Sequence, residues 1–326
     1  IRTTFAAPTD NDSDGMSDAW ESKYGVASPT DDPDEDGINN RTEYQNGTNP
    51  LLSNTWTLPE GSTGFFTERL ALANPDDFDA GVSISYLRDD GSPPVVRDYI
   101  VPAKGRLSVE VNSVSGLSST AVSAVLNTMS AGIIVERTLF WGDLYYGGHT
   151  GKGLTAGRTS WYLAEGDANV FDTFILLANG GTQAAVVTAT YLLESGQTVI
   201  RTYNVGAKQR VTIFANDVVG DNGVGLRGKS FSTTIQSTAP IHVERAMYYT
   251  TGGRFWNVGH GSAGVSDPSP SWFVAEGHTG PFFDVYLLLA NPTPNPVTAT
   301  VRYLLPGGRS LTRSYPLART SRKTLL

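Results

Sequence analysis

The sequence predicts an all-β protein of tandem Ig-like β-sandwich repeats, preceded by a small N-terminal segment of loops and short helices. One pattern of residues recurs at intervals of 105 and 111 residues, a length that suits one sandwich per repeat. Short β-rich runs separated by turn residues fill the repeats, and helical periodicity is nearly absent there. The excess of acidic residues is confined to the segment before the first repeat, so we expect that segment to be a separate structural unit from the repeats.

Composition excludes several classes of protein. The 326 residues and 34.9 kDa correspond to about two to three domains of ordinary size. The chain contains no cysteine, which excludes disulfide scaffolds, thiolate metal sites and cysteine nucleophiles. No apolar run reaches the roughly 18 residues that a membrane-spanning helix needs, so no transmembrane segment is expected.

The net charge of the protein lies in its first fifty residues. Residues 1–50 hold eleven acidic and three basic residues and therefore carry the whole net charge of −8. The remaining chain is neutral and has no basic stripe, which argues against nucleic acid as a partner. A local concentration of carboxylates indicates a cation instead.

Two acidic segments match the calcium loop D-x-[DN]-x-[DN]-G-x5-E in full. Calcium takes about six to eight oxygen ligands, and glycine at the sixth position lets the loop turn around the ion. Magnesium fits less well because it demands a tighter octahedral shell, and the region lacks His and Cys for a transition metal. We expect two Ca²⁺ ions, one bound by Asp10, Asp12, Asp14, Met16, Asp18 and Glu21, and one by Asp32, Asp34, Asp36, Ile38, Asn40 and Glu43, with Met16 and Ile38 ligating through their carbonyls.

The flanks predict that each loop is followed, but not preceded, by a helix. Pro8 and Pro29 disfavour entering helices, whereas Gly25 and Gly47 are suitable residues to end short exiting helices. This unit resembles the thrombospondin type 3-like and dockerin-like calcium-binding repeats of bacterial extracellular proteins. The resemblance implies an extracellular or cell-surface location. The recognition pair of dockerins is absent, so a cohesin partner is not expected.

The recurring pattern of the body has several parts. A motif that begins with Trp and ends with Glu-Gly occurs at Trp56–Gly61, Trp161–Gly166 and Trp272–Gly277. Leu-Ala-Asn and Tyr-Leu motifs follow in all three repeats. A Val-Glu-Arg motif occurs only twice, at Val135–Arg137 and Val243–Arg245, each before an aromatic patch and a Gly-Gly pair.

The second repeat shows the strand signals most clearly. Its β-rich runs cover residues 171–178, 185–193, 198–203, 210–214, 230–236 and 241–249. Glu194–Gln197 predicts a hairpin turn, and the glycine-rich residues 147–153 lack the ending of a phosphate-binding loop and are predicted as an ordinary loop. These repeats resemble the tandem "WYLAEG…LLLANP…VERAMYY…GGH" modules of large bacterial surface and secreted proteins, which implies a spacer or surface-display role.

The repeats set the predicted domain boundaries. The calcium-binding segment covers residues 1–52, two complete repeats cover 53–158 and 159–268, and an incomplete third covers 269–326. The third repeat lacks the part that matches Ser230–His260. Three explanations are open: the native chain continues, the end is disordered, or a neighbouring chain supplies the missing strands. The last of these predicts a filament, because a head-to-tail contact that does not close propagates.

The recurring glutamates do not predict an enzyme. Glu60, Glu165 and Glu276 share one position of the repeat, and we expect them to cap a turn or to pair with Arg137 or Arg245. No metalloprotease, serine-hydrolase or P-loop motif is present. Several aromatic pairs are candidates either for stacking on sugars or for the sandwich core, namely Phe140-Trp141, Tyr145-Tyr146, Tyr248-Tyr249 and Phe255-Trp256.

The sequence thus predicts an extracellular or cell-surface structural protein that calcium stabilises. Its expected partners are further copies, joined head to tail in a filament, or other surface proteins. The alternative is an adhesin or a carbohydrate-binding stalk module of a larger secreted protein, with glycans as partners. A third interpretation is the accessory region of an enzyme whose catalytic domain lies outside this sequence.

Overall fold

The computed structural model describes residues 9–34, 38–51, 54–128, 132–142 and 145–326. The chain divides into two compact units, one of residues 1–157 with 208–210 and one of residues 158–207 with 211–326. Strands make up 52% of the chain and helices 8%, which confirms the all-β fold. Within the described ranges, no helix has the length and apolar character to cross a membrane.

Two short helices follow the acidic loops, α1 (Asp18–Tyr24) and α2 (Asn40–Asn46). The side chains of Ser17 and Asn39 accept hydrogen bonds from the first turns and so cap the two helices. Each helix ends at the glycine predicted from the sequence, with φ of 70° and 73° in the left-handed region. The predicted pattern of a loop followed by a helix is therefore confirmed in both units.

Module 1, residues 53–158, is a sandwich of two antiparallel sheets. One sheet has the order β1-β6-β3-β4 and the other has the order β5-β2-β7-β8. The strands are β1 (Thr55–Leu58), β2 (Phe66–Ala73), β3 (Ala80–Arg88), β4 (Val95–Val101), β5 (Arg106–Glu110), β6 (Val122–Thr128), β7 (Ile134–Trp141) and β8 (Gly147–Lys152).

Alternate side chains of both sheets meet in the core of module 1. Val82, Ile84 and Tyr86 of β3 are buried at every second position, as a strand with one face toward the core requires. They belong to one apolar cluster with Leu70 and Leu72 of β2, which lies in the facing sheet. Packing of this kind between two sheets is the expected sandwich arrangement.

The glycine-rich residues 147–153 were predicted as a loop, and this was wrong. Residues 147–152 form β8, which pairs with β7. Gly147 lies so close to the Trp141 indole that a Cβ there would be 2.3 Å from the ring. Only glycine fits this close to the indole. Because glycine has no side chain, a glycine-rich segment shows no alternation of apolar and polar residues, and the sequence pattern therefore did not indicate the strand.

Module 2, predicted at residues 159–268, has the same plan, and its first strand begins one residue earlier, at Arg158. Its strands are β9 (Arg158–Leu163), β10 (Phe171–Asn179), β11 (Ala185–Leu193), β12 (Thr198–Val205), β13 (Gln209–Phe214), β14 (Phe231–Thr251) and β15 (Arg254–Ala263). The predicted turn at Glu194–Gln197 joins β11 to β12, and its Gly196 has a φ of 80°. The turn prediction is therefore confirmed.

Strand β14 belongs to both sheets of module 2. Its first half pairs with β9 and β11, and its second half pairs with β10 and β15. The sequence predicted two strands, 230–236 and 241–249, but the structure shows one strand of 21 residues. Pro240 lies where the strand passes from one sheet to the other, outside the paired registers, so its missing amide hydrogen disrupts no ladder.

Module 3, residues 269–326, contributes two two-stranded ladders. Its strands are β16 (Leu287–Asn291), β17 (Val297–Leu304), β18 (Ser310–Leu317) and β19 (Ser321–Leu325). β16 pairs with β19, and β17 pairs with β18. Arg322 Nη1 lies 3.3 Å from Glu194 Oε1 of module 2, and the Thr324 amide donates to the same oxygen at 3.1 Å. These contacts attach β19 to the second module.

Candidate metal centre and buried ion pairs

The first acidic loop brings three carboxylates together. Oxygen atoms of Asp10, Asp12 and Asp14 all lie within 4.8 Å of one another. The loop turns at Gly15, which has a φ of 94°, a conformation that suits glycine at the sixth loop position. Met16, whose carbonyl is the predicted ligand at the seventh position, has a fully buried side chain. Loop positions 1, 3 and 5 therefore converge as the motif predicts.

Backbone hydrogen bonds orient two of these carboxylates. The Gly15 amide donates to Asp10 Oδ2 at 3.1 Å, and the Met16 amide donates to Asp14 Oδ1 at 2.9 Å. The second oxygens, Asp10 Oδ1 and Asp14 Oδ2, are shielded from solvent and accept no hydrogen bond from the described residues. Shielded oxygens without a donor are costly unless a cation or a proton satisfies them. This set of oxygen donors fits a hard divalent cation.

Asp18 and Glu21, the predicted ligands at positions 9 and 12, lie outside this group of three. The Asp18 carboxylate accepts a hydrogen bond from the Asn11 amide at 2.9 Å and another from the Asn11 side chain. Desolvation, followed by the negative charges of Asp12 and Asp14, raises the pKa of Glu21. The negative charges of the cluster therefore act on Glu21. A cation bound there would instead lower the pKa of Glu21.

The second loop is described only in part. Asn40 and Glu43 are buried. Asn40 Nδ2 donates to the Ser28 carbonyl at 2.7 Å, and Glu43 Oε1 accepts a hydrogen bond from the Thr48 hydroxyl at 3.2 Å. The described part of this loop contains no group of three converging carboxylates, so the second calcium site stays a prediction. Of the remaining predicted ligands, the structure describes Asp32, Asp34 and Ile38, whereas Asp36 lies outside the described residues.

The recurring glutamate forms an ion pair with a buried arginine in both complete modules. In module 1, Arg137 Nη2 lies 2.8 Å from Glu60 Oε2, and Nη1 donates to the Glu60 carbonyl. In module 2, Arg245 Nη2 lies 2.8 Å from Glu165 Oε2, and Nη1 donates to the Glu165 carbonyl. The pairing predicted from the repeat is confirmed. Each pair ties the Glu-Gly turn to the strand that carries the Val-Glu-Arg motif.

A histidine approaches each of these pairs. His149 Nε2 lies 3.5 Å from Glu60 Oε1, and His260 Nε2 lies 3.9 Å from Glu165 Oε2. The sequence alone does not link these histidines to the glutamates, because 89 and 95 residues separate them along the chain. Their recurrence beyond the Gly-Gly pair of both modules is the signal that could have found them.

Module 1 also buries a carboxyl group that module 2 lacks. Glu68 of β2 is 1% exposed, and the matching residue of module 2 is Thr173. Burial raises the pKa of Glu68 to about 8, although the positive charge of Arg137 acts against the shift. Glu68 is therefore a carboxyl that keeps its proton near neutral pH.

Comparisons with known proteins assign no family to this chain. No protein-family model matches it, and no curated protein matches it. Among solved structures, Thermotoga maritima 1070 is similar at 14% identity over 34% of this chain and 96% of its own, with a TM-score of 0.30. The Anabaena sensory rhodopsin transducer is similar at 30% identity over 27% of this chain and 92% of its own, with a TM-score of 0.25. At these TM-scores neither similarity supports a conclusion about fold or function.

Removal of Arg137 should destabilise module 1 far more than removal of an exposed arginine. Arg137→Met leaves the Glu60 carboxylate buried without its partner, which should cost about 3–5 kcal/mol of unfolding free energy. In the matched control, Arg69→Met breaks a pair with Glu110 whose side chains are 44% and 41% exposed, and should cost about 1 kcal/mol or less. Urea denaturation with module-resolved hydrogen exchange measures both losses. Equal losses would contradict a stabilising role for the buried pair.

The raised pKa of Glu68 should make module 1 less stable as the pH rises. Between the ordinary pKa of 4.5 and the folded-state pKa of about 8, the folded module keeps a proton that the unfolded chain releases. The unfolding free energy therefore falls across this window, by at most about 1.4 kcal/mol per pH unit. Glu68→Gln should flatten the slope, as denaturation at several pH values will show. An unchanged slope would mean that Glu68 does not hold the proton.

Proposed function

We propose that this chain is an extracellular structural protein, built from repeated β modules and carrying an N-terminal head that calcium stabilises. The observation that carries the proposal is the recurrence of one Glu–Arg pair, with a buried arginine, at the same position of two modules. In both modules the arginine also donates to the glutamate's own carbonyl, so the pair holds the Glu-Gly turn against the same strand of the repeat. The same pair in every complete module is expected of an interaction that holds a repeat together, whereas a catalytic site is expected once in an enzyme.

The geometry of the recurring glutamates supports a non-catalytic role. A glycosidase needs two carboxyl groups about 5–10 Å apart across a cleft that admits the substrate. The Glu60 side chain is 6% exposed and is bonded to Arg137, whose side chain is fully buried. A carboxylate held in this way reaches no substrate, and Glu165, whose side chain is 31% exposed, is held by Arg245 through the same two contacts. We therefore propose no enzymatic activity for the modules.

Calcium would bind first to the converging carboxylates of the head. Asp10, Asp12 and Asp14 would hold the ion, with the Met16 carbonyl and Glu21 as further proposed ligands. The ion would neutralise crowded negative charges and satisfy the shielded oxygens, so its binding free energy would add to the stability of the folded head. The matching ligands of the second loop would hold a second ion.

An extracellular location is consistent with this use of calcium. Extracellular calcium modules bind the ion at about 10⁻⁴–10⁻³ M, a range suited to loops that lie at the surface. The chain also lacks cysteine, so disulfide bonds make no contribution to its stability. Core packing and bound ions would supply that stability instead.

A second candidate function, carbohydrate binding, is supported by an aromatic cluster on module 2. Trp256 stacks with Tyr248 and with Phe255 at centroid distances of 4.7 and 4.5 Å, and Phe174 meets it edge-on at 5.6 Å. Trp256 Nε1 donates to Asp172 Oδ2 at 2.7 Å, which fixes the indole. Phe255 is 54% exposed. Exposed, oriented rings of this kind present flat apolar surface to a ligand.

Trp141 of module 1 offers no such surface. Trp141 is 1% exposed and packs edge-on against Phe66 at 5.5 Å. It therefore belongs to the core, which was the other interpretation of these aromatic pairs. Tyr145 of module 1 is 62% exposed and lies 5.4 Å from the Phe140 ring, but the carbohydrate proposal concerns module 2, where the hydrogen bond to Asp172 also fixes Trp256.

Loss of first-loop carboxylates should remove one of two bound calcium ions. Isothermal titration calorimetry of the native chain should give two sites, and the double variant Asp12→Asn with Asp14→Asn should keep one, with the other weakened at least about tenfold. The matched control is Asp77→Asn with Asp221→Asn, two aspartates outside the head whose side chains are 89% and 87% exposed. The control should bind as the native chain does.

Chelation supplies the structural readout for the same prediction. EDTA should speed proteolysis within residues 1–50 and leave the modules intact, because only the head would lose bound ions. A head that resists protease equally with and without calcium would refute the stabilising role.

Glycan-array screening tests the second candidate. Any glycan bound by the native chain should be lost in Phe255→Ala and kept in Phe78→Ala, which removes a ring of module 1 with 51% exposure. An array without bound glycans, or binding that survives Phe255→Ala, would dismiss the carbohydrate function.

A further inference from the structure

One sheet of module 2 carries an aromatic strip on the face turned away from the sandwich core. Its members are Phe174, Phe214, Tyr248, Phe255 and Trp256. Neighbouring rings of the strip contact one another at centroid distances between 4.5 and 6.0 Å. Phe174 lies between the fully buried core residues Thr173 and Ile175 of β10, so its side chain points to the opposite face. The strip is therefore longer than one ring and can contact a ligand at more than one point.

The fold of a module does not require these rings. In module 1, Arg69 and Glu110 occupy the positions of Phe174 and Phe214, and there they form an exposed ion pair. The asparagine two residues after Glu110 or Phe214 makes the same two backbone hydrogen bonds in both modules, which fixes this correspondence. The same sandwich thus folds with two charges at this place in one module and with two rings in the other. The rings therefore point to a surface contact that is specific to module 2.

Trp256 has a backbone conformation that a bulky residue rarely adopts. Its φ is 47°, in the left-handed region, and Tyr145 at the matching position of the module 1 hairpin has a φ of 52°. Glycine would adopt this conformation without strain. An aromatic residue at such a position in both modules indicates that the ring itself is needed. In module 2 it stacks against Tyr248 and Phe255.

The surroundings of the strip favour a ligand with flat apolar faces and polar edges. Asp172 Oδ2 accepts a hydrogen bond from the Trp256 indole at 2.7 Å, and the Thr250 hydroxyl accepts one from the Trp256 amide at 3.1 Å. Polar groups therefore border the rings. Asp172 and Arg254, which precedes Phe255 in the chain, contribute opposite charges to this border, so they offer no net charge to an ionic ligand. A pyranose has apolar C–H faces and hydroxyl groups at its edge, which matches such a surface.

We propose that the aromatic strip binds an extended, neutral, β-linked oligosaccharide through several of its pyranose rings. The proposal deepens the carbohydrate function considered above and rests on it. The exposed ring of Phe255 contacts one sugar, and the half-buried rings of Phe174 and Phe214 contact another further along the chain. Equatorial linkages keep such a glycan flat, so successive sugars lie on successive rings of the strip. Stacking supplies the affinity, and the polar border selects among hydroxyl patterns.

Contact with several sugars makes the affinity depend on the length of the glycan. A monosaccharide covers only part of the strip and should bind weakly, and the affinity should rise until the strip is filled. A carboxylate on every sugar would add negative charge near Asp172 and would have to be desolvated against the rings. Acidic chains should therefore bind more weakly than neutral chains of the same length.

Isothermal titration calorimetry on the full chain measures both effects. The probes are β-1,4-linked oligosaccharides of glucose, xylose, mannose and N-acetylglucosamine, from one to six residues long, with β-1,4-linked mannuronic acid as the acidic series. At least one neutral series should show a Kd that falls at least about tenfold between one and four residues. Affinity that does not change with length, or tighter binding of the acidic series, would overturn the proposal.

Exchange of the ion pair between modules tests the strip directly. Phe174→Arg with Phe214→Glu gives module 2 the pair that module 1 has, so the variant should fold, as urea denaturation will verify. Its affinity for the longest oligosaccharide should fall at least about tenfold. Phe174→Leu with Phe214→Leu removes the rings without adding charge and should weaken binding in the same direction.

The matched control removes side chains at the same positions of module 1. Arg69→Leu with Glu110→Leu should bind every oligosaccharide as the native chain does, because this exposed pair lies outside the strip. Unchanged binding in both module 2 variants, or an equal loss in the control, would show that the strip does not hold the glycan.

The outcomes separate this proposal from the carbohydrate function on which it rests. A chain that binds no glycan on the array loses both. A chain that binds glycans through Phe255, but equally well at one and at six residues, keeps the carbohydrate function and loses the extended strip.

Discussion

Pairing with a central strand is the interaction on which each module depends. In module 2, β14 supplies ladder partners to four strands and carries Arg245 to Glu165. In module 1, two separate strands take these roles: β6 pairs with β3, and β7 pairs with β2 and carries Arg137 to Glu60. Where this strand is absent, as in module 3, nearly the same sequence leaves Trp272 and Leu304 exposed and residues 272–277 without a strand. The sandwich is thus a cooperative product of one strand and its neighbours, because apolar faces and ladder edges are satisfied together.

Charge is compensated in two different ways along the chain. The modules contain equal numbers of acidic and basic residues, and they pair Glu60 with Arg137 and Glu165 with Arg245. The head has eleven acidic residues against three basic ones, so its own arginines and lysine cannot neutralise it. Its carboxylates converge at Asp10 without enough donors, and an external cation is the chemistry that such a cluster favours. The proposed calcium would therefore neutralise carboxylates in the head, as arginine does in the modules.

The proposed calcium site and the uncovered face of module 3 both lack components that similar arrangements contain. In the head, the chain supplies oxygen ligands, and a cation would supply the positive charge. In module 3, the edges of β16 and β17, together with Trp272 and Glu276, lack the neighbours that their counterparts have in module 2.

The sequence by itself determined the features encoded by local pattern. The repeat, the all-β class, the helix ends at Gly25 and Gly47, and the pairing of the recurring glutamates were all predicted from spacing and residue type. Tertiary structure alone decided the rest: the single strand β14, the strand at Gly147, the approach of His149 to Glu60, and the exposed faces of module 3. The reason is physical. Turns, caps and alternation depend on neighbours along the chain, whereas strand continuity, close packing and burial depend on residues that folding brings together from distant positions.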